Sequence, residues 1–123
     1  MLNDDALRTP QSVQEMENRG FKSAAVLFLK GAVYQFIVDN PNRDFCVRDL
    51  LGGQNRNWKC TPLQYLYDFH IRNKKTEKDA YDQAAKDAGW LLKEVLHDDQ
   101  RYYFDNSHET YFARVYSVKG IVE

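Results

Sequence analysis

Residues 54–59 combine side-chain types that can bind nucleic acid. The run Gln54, Asn55, Arg56, Asn57, Trp58 and Lys59 brings amides, cations and one indole together. Arginine and lysine neutralise phosphates, whereas asparagine, glutamine and arginine also read the edges of bases. An exposed Trp58 would stack on a base or a sugar. The alternative is a solvated loop in which Trp58 folds back as an anchor in the core.

Basic residues are concentrated in the middle of the chain. Residues 43–78 carry eight bases and four acids (+4), residues 79–123 carry five and nine (−4), and the whole chain has a net charge of −1. The bases form a positive face if they converge, and an ordinary mixed surface if they scatter. The predicted nucleic-acid contacts are Arg48, Gln54, Asn55, Arg56, Asn57, Lys59, Gln64, Arg72, Lys74 and Lys75.

Two short groupings of carboxylates and imidazoles are the candidates for hydrolytic or metal chemistry. They are Asp68 with His70, and His97 with Asp98 and Asp99. Residues two apart on a helix point in different directions, which disfavours the first pair, and Asp99 suits a turn for backbone reasons. Cys46 and Cys60 lack the close spacing of a zinc site. We therefore expect no catalytic residues, no metal and no cofactor.

The composition is that of a globular protein. The chain has 123 residues, of which 43% are hydrophobic and 28% charged, which predicts one domain with a core of its own. The N-terminus lacks the pattern of a secretory signal, and no apolar run approaches the roughly 20 residues that span a bilayer. We expect a cytoplasmic protein with reduced cysteines and no membrane contact.

Hydrophobic spacing predicts helices in the first third of the chain. Residues 1–22 are interpreted as an N-terminal arm or a short helix over 12–18, and residues 23–123 as a single domain. A helix over 23–39 carries an apolar stripe at three- and four-residue spacing and stops before Pro41. A helix this apolar is either the central strut of the domain or half of a dimer interface. The stripe consists of Val26, Leu29, Val33, Phe36 and Ile37.

Capping residues predict the elements that follow. A short strand and a helix of barely two turns fill 45–51, closed by Gly52 and Gly53. Thr61 and Thr76 are expected to cap helices over 62–73 and 77–92, the second packing through an alanine face. Residues 91–104 then predict a β-hairpin with an Asp98-Asp99 turn, Asn106-Ser107 marks a break, and 111–118 is a strand or a terminal helix.

The order of these elements over residues 23–104 resembles the winged helix-turn-helix family. The resemblance depends on the run Phe45-Cys46-Val47-Arg48-Asp49-Leu50-Leu51 and on the hairpin at 91–104. It implies an α+β, mainly helical fold with a winged-helix-like core and a C-terminal β-hairpin. One helix is extra to the family pattern, so the recognition helix is undecided.

Charge separates the two candidate recognition helices. The helix over 77–92 has an acidic outer face of Asp79, Asp82 and Asp87, which is a poor surface for phosphates. The helix over 62–73, with Gln64, Arg72 and the lysines after it, suits them better. The hairpin turn is acidic and its arms are aromatic, so we expect it to pack or dimerise.

Three functions remain open from the sequence. The first is non-enzymatic binding of nucleic acid, DNA rather than RNA, by a homodimer. The second is protein association or homodimerisation through aromatic side chains on the same scaffold. The third is a small metal-dependent nuclease component that uses Asp68, His70 or His97. The aromatic side chains in question are Phe28, Tyr34, Tyr65, Tyr67, Tyr102, Tyr103, Tyr111, Phe112 and Tyr116.

Overall fold

Five helices and one antiparallel hairpin make up the regular structure of the described residues. A computed structural model describes residues 9–50, 58–109 and 114–122, with the side chains of 48 and 106–109 excepted. The mainly helical α+β class with a C-terminal β-hairpin is confirmed. The elements are α1 (Gln11–Asn18), α2 (Lys22–Asp39), α3 (Val47–Leu50), α4 (Gln64–Arg72), α5 (Glu77–His97), β1 (Tyr102–Glu109) and β2 (Arg114–Ile121).

Helix α1 corresponds to the short helix over 12–18, one of the two alternatives for the N-terminal residues. Val13 and Met16 are fully buried, so this helix packs into the core. It ends in a Schellman motif, in which Phe21 N donates to Met16 O at 2.9 Å and Gly20 N donates to Glu17 O at 3.0 Å. Gly20 has φ +81°, a left-handed conformation that glycine adopts without steric cost. The motif turns the chain sharply into α2.

Helix α2 is buried on one side only. Leu29 and Val33 of the predicted stripe are buried, together with Ala25, against α5 and its neighbours. By contrast, 68% of Leu27 and 72% of Val38 is exposed. Within the described residues, no single helix has both the length and the apolar composition to cross a membrane; α1 and α2 pass that test only as a pair, bent by 113°.

Helix α5 is the central element of the fold. The hydroxyl of Thr76 accepts a hydrogen bond from Asp79 N at 3.2 Å, which confirms the predicted N-cap. The predicted alanine face is also confirmed, since Ala80, Ala84 and Ala88 are completely buried. The small side chains let α4 approach closely, and α5 also contacts α1, α2, α3 and β1.

The hairpin predicted over residues 91–104 is wrong in position, because α5 continues to His97. Leu91, Leu92, Val95 and Leu96 recur at helical spacing and are all buried. An apolar run of this length fits both a strand and a buried helix, and the contacts along the rest of α5 favour the helix. The Asp98-Asp99 turn therefore joins α5 to β1 and does not connect two strands.

The observed hairpin lies further along the chain. Strands β1 and β2 pair antiparallel, with Tyr102 opposite Ile121 and Phe104 opposite Val118, and the register shifts twice. The break predicted at Asn106-Ser107 is wrong, since β1 runs through it to Glu109. Of the two alternatives for 111–118, strand or terminal helix, the described residues form a strand, from Arg114 to Ile121; residues 110–113 lie outside the described part.

Two shorter elements also differ from the prediction. The strand expected at Phe45 is a single bridge to Tyr116, and the helix after it is one turn, Val47–Leu50. The predicted closing glycines at 52 and 53 lie outside the described residues. Helix α4 begins at Gln64, later than expected. The hydroxyl of Thr61 accepts from Leu63 N at 3.3 Å and donates to Trp58 O at 2.7 Å, so Thr61 orders the turn before the helix.

The buried residues form two clusters on either side of α5. One cluster unites α1, α2, α4 and α5 around Met16, Leu29 and Leu66. The other joins α2 and α5 to the hairpin around Val33, Phe45 and Phe104. Aromatic contacts strengthen the second cluster, because the Phe45 ring lies 6.0 Å from Phe104 in an edge-on arrangement and 6.2 Å from Tyr116.

Candidate functional site

Arg72, a predicted phosphate contact, is held in a contact within the protein. Its guanidinium donates to both carboxylate oxygens of Glu15, at 3.0 and 3.4 Å, and lies over the rings of Tyr65 and Phe69. The hydrogen bond from Arg72 lowers the pKa of Glu15, and that bond raises the pKa of Arg72. Arg72 therefore ties α4 to α1, and its charge is balanced there.

The remaining described candidates do not form one surface by contact. Lys74 and Lys75 are adjacent and exposed in the connection from α4 to α5, and Lys59 is exposed before α4. Gln64 lies at the opposite end of α4 from Arg72, about 12 Å away along the helix axis. Its side-chain amide donates to Asp68 Oδ1 at 2.9 Å.

Half of the predicted contacts fall outside what the structure describes. The side chain of Arg48 and the whole of Gln54, Asn55, Arg56 and Asn57 lie outside the described residues. Trp58 is described, and only 7% of it is exposed. Its ring centroid lies 5.6 Å from that of Tyr81, so Trp58 is the core anchor and not a base-stacking platform.

A buried polar cluster links α1, α4 and α5. Ser12 Oγ donates to Asp87 Oδ2 at 2.6 Å, and His70 Nε2 lies 2.7 Å from the same oxygen. All three residues are at least nine-tenths buried. His70 Nδ1 is buried as well and has no hydrogen-bond partner among the described residues.

This cluster contains serine, histidine and aspartate, but their hydrogen bonds are not arranged as in a catalytic triad. A nucleophilic serine must bond to the imidazole that takes its proton. Here Ser12 donates to the carboxylate of Asp87 instead, and its burial keeps a substrate away. The arrangement fastens three helices together.

The sequence interpretation placed Asp87 on the acidic outer face of α5, which is wrong. Asp79 and Asp82 are exposed, whereas only 8% of Asp87 is. The signal was present in the spacing, because Ala80, Ala84, Asp87 and Leu91 follow one another at three- and four-residue intervals. A carboxylate on that buried face needs hydrogen-bond donors from the neighbouring helices. Ser12 and His70 are those donors.

The carboxylate–imidazole groupings do not assemble a metal site. Asp68 faces Gln64 and is exposed, whereas His70 bonds to Asp87. His97 Nδ1 lies 3.3 Å from Asp98 Oδ1 on the surface, about 15 Å along α5 from Asp87. Within the described part of the chain, no three His, Cys, Asp or Glu side chains are placed to hold a metal ion.

Asp99 organises the junction of α2, α5 and β1. Its Oδ1 accepts from Arg101 N at 2.8 Å and Tyr102 N at 2.7 Å, and its Oδ2 accepts from the Tyr34 hydroxyl at 2.7 Å. Burial, together with the bond to Asp99, raises the pKa of Tyr34 to about 12. The aspartate predicted for a hairpin turn thus fixes the start of β1.

The outer face of α2 is unusually apolar for a helix surface that is exposed to solvent. Five exposed residues follow one another at three- and four-residue spacing along it: Ala24, Leu27, Gly31, Gln35 and Val38. Half-buried Phe28 and Tyr34 flank this strip. A helix that is apolar on all sides is normally buried on all sides. We call these five residues the α2 strip.

Most aromatic side chains that suggested association belong to the core or its margin. Tyr116 is 2% exposed, and Phe28, Tyr34 and Tyr102 are half-buried. Among the described members of that set, Tyr103 is the exception, at 52% exposed; Tyr111 and Phe112 lie outside the described residues. The large apolar side chains exposed on the described part of the chain are therefore mostly aliphatic: Leu27, Val38, Ile71, Val118 and Ile121, against the aromatic Phe21 and Tyr103.

Comparison with known proteins adds no relative to this description. No protein-family model matches the chain, and neither a curated protein nor a solved structure matches it.

Proposed function

We propose that the protein is an association module that forms a two-fold homodimer through the α2 strip. The observation that carries this proposal is the exposure of Leu27 and Val38, 68% and 72%, on the same side of α2. Each would contribute roughly 1.5–3 kcal/mol if it became fully buried at an interface. Helix α2 has 18 residues and is about 27 Å long, which gives a second helix room to lie along it.

The spacing of the strip is symmetrical about Gly31. An antiparallel copy that crosses at Gly31 places Ala24 opposite Val38 and Leu27 opposite Gln35. The small Ala24 then faces the larger Val38, and Leu27 faces Gln35, a residue of similar size. A side chain added at Gly31 would meet nothing within 4 Å in the monomer, so the room there is open to a neighbouring backbone.

Charge also fits a two-fold arrangement. A charged side chain near a two-fold axis faces its own copy, and that repulsion disfavours association. The five residues of the strip are uncharged. Lys22 lies on the inner side of α2, where its Nζ is 2.8 Å from Glu94 Oε1 and 3.6 Å from Glu17 Oε2. Antiparallel helices also bring opposite dipole ends together.

Sedimentation equilibrium tests the dimer. The wild-type chain should sediment as a dimer at tens of micromolar, and Leu27→Asp should be monomeric, because it buries an unpaired charge at the interface, opposite Gln35 of the second copy. Ile121→Asp is the matched control, since Ile121 is a similarly exposed aliphatic residue (61%) on β2. It should remain dimeric. A monomeric wild-type chain would refute the proposal.

Cysteine cross-linking tests the antiparallel crossing. In a background with Cys46→Ala and Cys60→Ala, Gly31→Cys lies next to its own copy at the axis and should form a disulfide-linked dimer on mild oxidation. Ala24→Cys lies far from its own copy and should stay monomeric on a denaturing gel. The reverse pattern would exclude this register even if the chain is dimeric.

The second candidate function is nucleic-acid binding by a winged-helix-like domain. Lys74 and Lys75 favour it, because both are exposed beside α4 in the segment of net charge +4. Fluorescence anisotropy with labelled duplex and single-stranded DNA, at about 50 mM and about 200 mM salt, is the test. Lys74→Gln with Lys75→Gln should weaken binding and lower its salt dependence, whereas Lys86→Gln on α5 should not. No salt-sensitive binding near 50 mM would rule this function out.

A further inference from the structure

We propose that a surface rich in aromatic and arginine side chains, where α1, α2 and α4 meet, binds an acidic peptide segment of another protein. This surface shares no residue with the α2 strip, and the proposal stands whether or not the chain dimerises. We call it the Phe21–Arg72 patch. Its members are Arg19, Phe21, Tyr65, Phe69 and Arg72.

Phe21 supplies the exposed apolar surface of the patch, since 51% of it is accessible to solvent. Its backbone is held in place, because its N–H donates to Met16 O in the Schellman motif that ends α1. Its ring centroid lies 5.6 Å from that of Tyr65, so α4 supports the ring from below. An aromatic ring that is already positioned loses little conformational entropy when a partner covers it.

Two guanidiniums converge on one carboxylate at the edge of the patch. Glu15 Oε1 lies 3.0 Å from Arg72 Nη1 and 3.3 Å from Arg19 Nε, so two positive charges face one negative charge. Each guanidinium carries several N–H donors, more than one shared carboxylate can accept. The side chains of Arg19 and Arg72 are 61% and 47% exposed. Lys74 and Lys75, exposed just beyond Arg72, add charge that attracts an acidic segment.

Stacking fixes the position of Arg72. Its Cζ atom lies 5.6 Å from the centre of the Tyr65 ring and 5.8 Å from that of Phe69. A guanidinium held over rings and bonded to a carboxylate is ordered before a partner arrives, which lowers the entropic cost of binding. Aromatic residues and arginine are also the types enriched at the centres of protein interfaces.

The surroundings favour a peptide over a nucleic acid. Base stacking requires open ring faces, whereas Arg72 lies over the rings of Tyr65 and Phe69. Asp68 is exposed one helical turn before Arg72, and Glu15 lies between the arginines. A phosphate backbone would run past both carboxylates, but a peptide can place a single carboxylate at the guanidiniums. The recognised feature is therefore an aspartate or glutamate next to a bulky apolar residue.

A synthetic peptide and its neutral counterpart test the proposal. The probe is fluorescein-labelled Gly-Ser-Asp-Glu-Leu-Trp-Glu-Asp-Ser-Gly, and the control has Asn and Gln in place of Asp and Glu. Fluorescence anisotropy with the full chain at about 50 mM salt should give a Kd below about 1 mM for the acidic peptide. The neutral peptide should bind at least about tenfold more weakly. Absence of acidic-peptide binding, or equal binding of the two peptides, would overturn the proposal.

Substitutions locate the site on the chain. Phe21→Ala and Arg19→Gln should each weaken binding of the acidic peptide by about tenfold, and both leave the contact between Arg72 and Glu15 in place. Arg43→Gln is the matched control, because Arg43 is an exposed arginine that lies over a different ring, 5.8 Å from the centre of Phe36. It should bind as the wild-type chain does. Wild-type affinity in both Phe21→Ala and Arg19→Gln would refute this location.

Glu15→Gln distinguishes a binding surface from a purely structural contact. Glu15 competes with the peptide for the two guanidiniums, so its neutralisation should strengthen binding of the acidic peptide by about threefold or more. A purely structural role of the contact predicts weaker binding in this variant. Weaker or unchanged binding would therefore contradict the proposal.

Two further measurements separate the patch from the proposed dimer and from nucleic-acid binding. Leu27→Asp should bind the acidic peptide as the wild-type chain does, and loss of binding in this variant would assign the site to the dimer interface instead. Labelled oligothymidylate should bind no more tightly than the peptide under the same conditions. Tighter binding of the oligonucleotide that Phe21→Ala abolishes would replace the peptide by a nucleic acid as the partner.

Discussion

Asp87 shows how one buried charge governs the contacts of three helices. A carboxylate can be buried at low cost only where donors surround it, and Ser12 and His70 supply them from α1 and α4. Its neighbours on the same face of α5 are alanines and leucines. This apolar surface drives the packing of the helices, and Asp87 determines which polar side chains must lie opposite it.

Removal of the Asp87 side chain should destabilise the protein strongly. Asp87→Ala leaves Ser12 and His70 buried without an acceptor, and the expected loss of unfolding free energy is about 2–4 kcal/mol. Urea denaturation measures it. Asp82→Ala removes only a surface pair with Lys78 and should change stability by less than about 0.5 kcal/mol. Equal effects of the two changes would mean that the buried bonds contribute little.

Tyr34 should titrate well above an ordinary tyrosine. Its pKa is raised from 10.0 to about 12, first by burial and then by the bond to Asp99. Since the folded state favours the neutral phenol, this contribution to stability is present below pH 10.0 and is lost as the pH rises toward 12. The difference in absorbance at alkaline pH between wild type and Tyr34→Phe isolates the group. A transition at the ordinary value would disprove the burial argument.

At the residue scale, local signals were predictable and long-range ones were not. The cap at Thr76 follows from the sequence because its hydroxyl bonds only three residues away. The bond between Ser12 and Asp87 spans 75 positions, and only the packing of α1 against α5 brings the two together. The Arg72–Glu15 pair is hidden in the sequence for the same reason, since its partners lie 57 positions apart on two different helices.

At the element scale, α5 owes its length to packing rather than to intrinsic propensity. Gly89 lies inside the helix, where glycine costs about 1 kcal/mol relative to alanine. The helix nevertheless continues because Leu91, Leu92 and Leu96 are buried in the two clusters. The sequence predicted an end at residue 92 instead of His97, since it does not show which faces of the helix are covered.

Gly89→Ala should therefore stabilise the protein. A methyl group there would meet nothing within 4 Å, so the expected gain is about 0.5–1 kcal/mol. Gly20→Ala is the matched comparison, because Gly20 also has open space but a φ of +81°. It should destabilise by about 1 kcal/mol. Thermal unfolding of both variants separates helix propensity from backbone strain; a loss of stability in Gly89→Ala would show that the site is closely packed.

At the scale of the whole molecule, the fold class was predictable and the arrangement of its parts was not. Helix periodicity and caps identify the helices, and the aromatic residues after α5 indicate a hairpin. The sequence paired the aromatic arm of β1 with the apolar run before Asp98, which lies in α5, and its observed partner β2 was ambiguous between strand and helix. The charge of a segment was similarly uninformative about the charge of its surface, since Arg72 is balanced by Glu15 from another helix. The residue types of the 54–59 run also did not show that Trp58 is buried.

The proposed dimer makes stability depend on concentration. A protein that is stabilised by self-association melts at a higher temperature when it is more concentrated. The melting temperature of the wild-type chain should rise as its concentration is increased about a hundredfold. The melting temperature of Leu27→Asp should not depend on concentration. Ile121→Asp should behave as wild type. A wild-type melting temperature independent of concentration would count against dimerisation.

The bridge between Phe45 and Tyr116 has a consequence for synthesis on the ribosome. Each residue donates its N–H to the other's carbonyl, at 2.9 and 2.7 Å, across 71 positions of chain. At about 5–20 residues per second, Phe45 is made roughly 4–14 s before Tyr116. During that interval its ring lacks the aromatic neighbours of the hairpin. The second cluster therefore cannot close until β2 has been made.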